Sequence, residues 1–152
     1  MAKNKLQLQQ LNDKMLLLND MKRAMIPMEG WINAVRTSIG MSLEQLATRM
    51  HKTRQSMREM EQREKDGNIT LKTLSEAAKA MDMQLVYGFV AKDGSLEALI
   101  DRKAKELARS IVGRTSVSMK LEDQENSASR IQQAINERAE ELKKEIPKIL
   151  WD

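Results

Sequence analysis

The chain has no cysteine, a single histidine, two prolines and only 3% aromatic residues in 152 positions. Without cysteine there is neither a disulfide framework nor a thiolate metal site, and such a chain is compatible with a reducing cytosol. Stacking platforms for unpaired bases need aromatic rings, and two Trp, one Tyr and one Phe leave almost none for that purpose. Catalysis has little to draw on. His51 stands alone, no glycine-rich phosphate loop is present, and the acidic group Glu59, Glu61 and Glu64 has no histidine beside it. These absences predict a protein that is not an enzyme and holds no cofactor or metal. No apolar run approaches the roughly 20 residues needed to cross a bilayer, and no signal-peptide pattern opens the chain, so the expectation is a soluble cytoplasmic protein without membrane contact.

Twelve methionines, with many Leu, Ala and Ile, suit helical cores. The net charge is a mild +4, so its distribution carries more information than its size. Lys and Arg against Asp and Glu number five to three in residues 1–29, nine to seven in 30–91, and twelve to twelve in 92–152. The tail is neutral. In the middle segment Arg49, Lys52, Arg54 and Arg58 follow one another with no acid between them, and Glu59, Glu61 and Glu64 come directly after.

That basic run lies inside the most informative stretch, Ser42 to Glu61. Ser42 and Gln45 have the spacing of a capping box, which starts a helix at Leu43. Leu43, Leu46, Ala47 and Met50 then share one face. Thr53 is a second N-cap, and Met57 and Met60 form the apolar side of a second helix whose opposite side carries Arg54, Gln55, Ser56 and Arg58. Helices this short are marginal in isolation and must pack on one another, which the small Ala47 permits at close range. The arrangement is that of a DNA-binding helix-turn-helix. Arg54, Gln55 and Arg58 are the candidates for base-edge contacts, since Arg reads guanine and Gln reads adenine through paired hydrogen bonds. Ser42, Gln45, Lys52, Thr53 and Ser56 are the candidates for backbone phosphates.

Around this stretch, Leu8, Leu11, Met15, Leu18 and Met25 predict an amphipathic N-terminal helix that packs on the body or on a second subunit. Pro27 and Gly30 mark a connection. Trp31, Ile32, Val35, Arg36 and Ile39 read as a helix closed by Gly40, with Trp31 in the core. A charged loop is expected over 62–68. Thr70 then caps a helix with Leu71, Leu74, Ala77, Ala78 and Met81 on its apolar face. Residues 84–90, QLVYGFV, give one strand. A lone strand cannot satisfy its own ladder, and symmetric pairing with a second copy would make a homodimer. Ser95 caps a helix over 95–112, GRTSVS at 113–118 reads as a turn or flexible link, and Ile131, Ile135, Leu142 and Ile146 describe a final helix ended by Pro147.

The pattern Leu46-Ala47, a turn, then Thr53, Met57, Met60 and Glu61 resembles the phage-repressor or Xre-like helix-turn-helix family, with His51 and Lys52 standing where glycine and an aliphatic residue are usual. Further segments, GWINAVRTSIGMS, ITLKTL, QLVYGFV, SMKLEDQ and the closing LWD, resemble the mobile mystery protein A family across the whole chain. These Xre-type proteins are named for their occurrence on mobile elements beside mobile mystery protein B, which contains a Fic domain. The resemblance implies a repressor-like antitoxin or regulator of that gene pair. Many Fic enzymes are silenced by a helix bearing Ser/Thr-x-x-x-Glu-Gly/Asn; Ser118 and Glu122 fit that pattern, and Asp123 departs from it at the last position.

The expected fold is therefore mainly α: an Xre-like helix-turn-helix bundle with an N-terminal helix (1–29), a DNA-binding domain with a following strand (30–92), and a C-terminal helical region for dimer or partner contacts (93–152). The expected function is sequence-specific binding of double-stranded DNA as a homodimeric transcriptional regulator. The alternative is an adaptor whose C-terminal helices inhibit a Fic nucleotidyltransferase, with DNA binding secondary.

Overall fold

The structure is a computed structural model and describes residues 2–24, 26–116 and 127–152. Met25, Ser118, Glu122 and Asp123, singled out above, lie outside the described residues. The chain is mainly helical: α1 (Ala2–Leu16), α2 (Trp31–Ser38), α3 (Leu43–Arg49), α4 (Arg54–Asp66), α5 (Leu71–Ala80), α6 (Leu96–Ser116) and α7 (Ser127–Glu145), with 3-10 turns at Asn19–Arg23 and Lys148–Trp151. It divides into two compact units. One is continuous, Arg23–Gly88; the other is built from Met1–Lys22 and Phe89–Asp152.

In the continuous unit, α2 to α5 surround a core of Ile32, Leu46, Ala47, Met57, Met60, Ala77 and Met81. Apolar residues recurring at helical spacing supply one buried stripe per helix. Ala47 is 2% exposed, so α3 and α4 approach closely at this small side chain. Helix starts follow local chemistry. Ser42 Oγ accepts the Gln45 amide at 3.0 Å while Gln45 Oε1 accepts the Ser42 amide at 2.8 Å, completing the capping box. Thr53 and Thr70 cap α4 and α5 by accepting the amides of Ser56 and Thr73 on their hydroxyl oxygens.

Helix ends share one solution, in which the chain turns through a left-handed residue and two amides bond back to the last carbonyls. Gly40 and Gly67 do this at φ 74° and 78°. His51 and Asp82 do it at φ 55° and 59°, a conformation that side chains other than glycine enter at some cost.

Two acids on α4 tie this unit together. Glu64 accepts the amides of Trp31 at 2.7 Å and Ile32 at 2.8 Å, and so caps α2 from a helix 33 residues away. Gly30 makes this possible: its φ is +85°, and a Cβ there would lie 2.8 Å from Glu64 Oε1. Glu61 accepts from Arg36 Nε at 2.6 Å and from Asn33 Nδ2 at 2.9 Å.

In the other unit α1, α6 and α7 pack together, with Ala104, Ala108, Ile135, Ala139, Leu142 and Leu150 at the core. Ser95 Oγ accepts the Ala98 amide at 3.0 Å and starts α6 as expected. A second cap comes from α1, where the buried Asn12 accepts the Leu96 amide at 2.9 Å. Asn19 Nδ2 donates to the Gly94 carbonyl at 3.1 Å, fixing the same turn. Asp101 on α6 bonds Lys105 at 2.7 Å and Lys143 of α7 at 3.1 Å.

Several expectations change. Trp31 is 45% exposed, because Ile32 takes the core position one residue on. Ile39 lies past the end of α2 and Leu71 in the first turn of α5, and both are exposed. Leu11 is exposed too, α1 being held through Asn12, and α1 ends at Leu16 rather than running on toward residue 25. The loop expected over 62–68 is helical as far as Asp66, since α4 must reach Glu64 to cap α2. Gly113 lies inside α6, where Ile111 and Val112 pack on the core and carry the helix through it. Residues 84–90 form no strand, because no second extended segment stands beside them among the described residues.

Candidate nucleic-acid interface

The candidate residues converge on one end of the Arg23–Gly88 unit, where α3, the turn Met50–Thr53 and α4 meet. The turn is set by the αL residue His51: its amide bonds the Thr48 carbonyl at 3.2 Å, and the Lys52 amide bonds the Ala47 carbonyl at 2.9 Å. This closes α3 and leaves Lys52 and Thr53 exposed at the head of α4. Arg54, Gln55 and Arg58 are exposed along α4, while Met57 and Met60 on its other side are buried.

The head of α4 is electropositive. No acid lies in its first turn, and an N-terminus with unpaired amides attracts anions. Among the described residues, Lys52, Arg54 and Arg58 make no ion pair with a carboxylate. Gln55 Nε2 lies 3.5 Å from Glu59 Oε1, a weak bond that a stronger partner can replace.

Two other cations of this unit are already engaged. Arg36 is committed to Glu61 and to the Met41 carbonyl. Arg49, part of the basic run, donates to the Ala80 carbonyl at 3.1 Å and lies 3.5 Å from Asp82. It thus serves to tie α3 to the end of α5.

Ser42, Gln45 and Thr53 combine two roles. Their side-chain oxygens accept the capping amides, which leaves the Ser42 and Thr53 hydroxyl protons and the Gln45 NH₂ group as donors on an exposed surface. Ser56 is half-buried. It lines a shallow recess between α4 and α5 together with Lys52, Arg63, Asn68, Thr70 and Thr73. Of these, Arg63, Asn68, Thr70 and Thr73 were not among the sequence candidates. The available signal was Arg63 at helical spacing from Ser56, which becomes apparent once α4 is known to continue beyond Glu61.

The acids Glu61 and Glu64 serve as internal ties, to Arg36 and to the α2 amides. No group of three metal-ligating side chains occurs among the described residues. No helix there is long and apolar enough to cross a membrane. No family model, curated protein or solved structure matches the chain.

Proposed function

We propose that the chain is a sequence-specific binder of double-stranded DNA and a transcriptional regulator, in which α3 and α4 form an Xre-like helix-turn-helix and α4 enters the major groove. The observation that carries this reading is the division of labour among cations: Arg36 and Arg49 are tied within the unit, whereas Lys52, Arg54 and Arg58 are exposed at the head of α4 without a carboxylate partner among the described residues. Arg54, Gln55 and Arg58 read base edges, and Ser42, Gln45, Lys52, Thr53 and Ser56 hold phosphates. Selection of bound duplexes from a random library tests it. A defined site should emerge, and Gln55→Ala should change its sequence. Recovery of no preferred sequence, with Lys52→Ala binding as the wild type does, would remove the proposal.

The resemblance to the mobile mystery protein A family extends this proposal to a repressor-like antitoxin acting beside a Fic-domain partner. One observation favours a second, partner-binding role: the unit of Met1–Lys22 and Phe89–Asp152 contains no part of the DNA-binding face. Nucleotidyl transfer by the Fic-domain protein, measured with and without the purified chain, tests this reading. Equal inhibition by wild type and Glu122→Ala would take Glu122 out of the mechanism while leaving inhibition itself in place.

A further inference from the structure

The exposed side of α4 carries an acid with no task in the fold. Of the four carboxylates on this helix, Glu61 and Glu64 tie α2 in place, and Asp66 accepts Gln62 Nε2 at 3.0 Å. Glu59 is exposed, and its hydrogen-bond partner is Gln55 Nε2 at 3.5 Å, the limit of such a bond. It borders the recess that Lys52 and Arg63 also line, yet among the described residues it makes no ion pair with either. At about 3.6 residues per turn, Gln55, Glu59 and Gln62 run along the middle of the side opposite the buried Met57 and Met60, with Arg58 on one flank and Arg63 on the other. The acid therefore stands at the centre of the face that α4 would turn toward base edges.

In a groove a carboxylate repels the phosphates and gives up water, a cost that only a hydrogen-bond donor offsets. The major-groove edges present few donors. Guanine shows two acceptors, and thymine shows an acceptor and a methyl group, so both leave the carboxylate unpaired. Adenine has an amino group, but it lies between two acceptors, its own N7 and the O4 of the paired thymine. The cytosine amino group has an acceptor on one side only, the O6 of the paired guanine, and is the base edge on which a carboxylate is best placed.

We propose that Glu59 is a specificity-determining residue of the α4 face, accepting a hydrogen bond from the N4 amino group of one cytosine and excluding the other bases at that position. This inference rests on the DNA-binding reading above and adds an acid to the base-reading set of Arg54, Gln55 and Arg58. The weak bond from Gln55 is given up when the base arrives. The same charge disfavours every duplex that lacks cytosine at that pair, so discrimination comes from the penalty on wrong sites as well as from the bond at the right one.

Selection of bound duplexes from a random library, run in parallel with the full-length wild type and Glu59→Gln, tests the assignment. The wild-type site should contain a C·G pair whose preference is lost in Glu59→Gln, and that variant should bind unrelated duplexes more tightly than the wild type. N4-methylcytosine at the same pair sets a methyl group on the amino edge. It should weaken wild-type binding roughly tenfold and leave the binding of Glu59→Ala unchanged. Circular dichroism checks the fold of both variants, and the wild-type measurement on the methylated duplex needs neither. Identical sites selected by the two chains would overturn the assignment while leaving DNA binding in place, as would wild-type binding indifferent to the methyl group. A wild-type chain that selects no site would remove this inference together with the reading on which it rests.

Discussion

Arg36 Nε lies 2.6 Å from Glu61 Oε1, and both side chains are only 11% exposed. The pair joins α2 to α4, and each partner has further bonds: Arg36 Nη1 to the Met41 carbonyl at 3.0 Å, and Glu61 Oε2 to Asn33 Nδ2 at 2.9 Å. Removing one member leaves an uncompensated charge in a largely dry place. Glu61→Ala should therefore lower unfolding free energy by about 3 kcal/mol. Arg36→Met combined with Glu61→Leu should lose clearly less than the sum of the single changes. Urea denaturation of the four chains measures the coupling; additive losses would show that the pair does not act as a unit.

Gly30 should accept no side chain. Gly30→Ala meets both a left-handed backbone and the Glu64 carboxylate 2.8 Å away, and should cost about 2 kcal/mol or more. Glu64→Ala, which uncaps α2, should cost about 1–2 kcal/mol. If Glu64 is what excludes the methyl group, Gly30→Ala should be milder in the Glu64→Ala background than in the wild type, as thermal unfolding would reveal.

On the α4 face, Arg58→Ala or Arg54→Ala should cost about 1–3 kcal/mol of discrimination at one base pair. Lys52→Ala should weaken binding to all duplexes and reduce the salt slope by about one. Arg49→Ala should leave the salt slope as it is, because this guanidinium is bonded to the Ala80 carbonyl. Shift assays across a salt series distinguish these three behaviours. A slope that falls for Arg49→Ala would place that residue on phosphate.

Hydrogen bonds from Lys105 and then Lys143 hold the Asp101 carboxyl below the usual carboxylate range. A carboxylate whose folded pKa is depressed contributes stability that is fully present above its unfolded pKa, near 3.8, and that is lost as pH falls through the lower folded value. Asp101→Asn should therefore cost up to about 1 kcal/mol at neutral pH. It should also flatten the decline in stability below pH 4. Parallel stability curves for the two chains between pH 5 and pH 2 would refute the assignment.

His51→Gly should stabilise the chain by about 1 kcal/mol, since φ 55° is strained for any side chain but suits glycine. If the imidazole or its neighbour Lys52 gains a phosphate contact from that strain, the stabler variant should bind DNA no more tightly than the wild type. Tighter binding would mean that the turn alone was limiting.

Elements whose causes lie within a few residues were legible in the sequence: the capping box of Ser42 and Gln45, the caps at Thr53, Thr70 and Ser95, and the buried stripes of α3 and α7. Interactions that span the chain were not. Glu64 reads as one acid in a charged run, and only the approach of α2 makes it a cap. Asn12 carries no local signal, since its partner amide is 84 residues away. Trp31 was misplaced because size suggests the core, whereas the helical phase is set by Ile32. At the candidate site, residue types and spacing indicated which side chains are exposed on α4. They did not indicate which arginines would be consumed by internal bonds, because that depends on Glu61 of α4 and the Met41 carbonyl for Arg36, and on the Ala80 carbonyl at the end of α5 for Arg49.

The bond between Asn12 and Leu96 also bears on the order of folding. Closing a loop of 84 residues costs about 4 kcal/mol in chain entropy, from the logarithmic dependence on length. The whole Arg23–Gly88 unit lies inside that loop and can form while the loop is still open. During synthesis α1 precedes α6, against which it packs, by some eighty residues. In a refolding experiment, protection of the Leu96 amide should lag behind that of the amides in α3 and α4. A helix made well before its partner is placed only when that partner arrives.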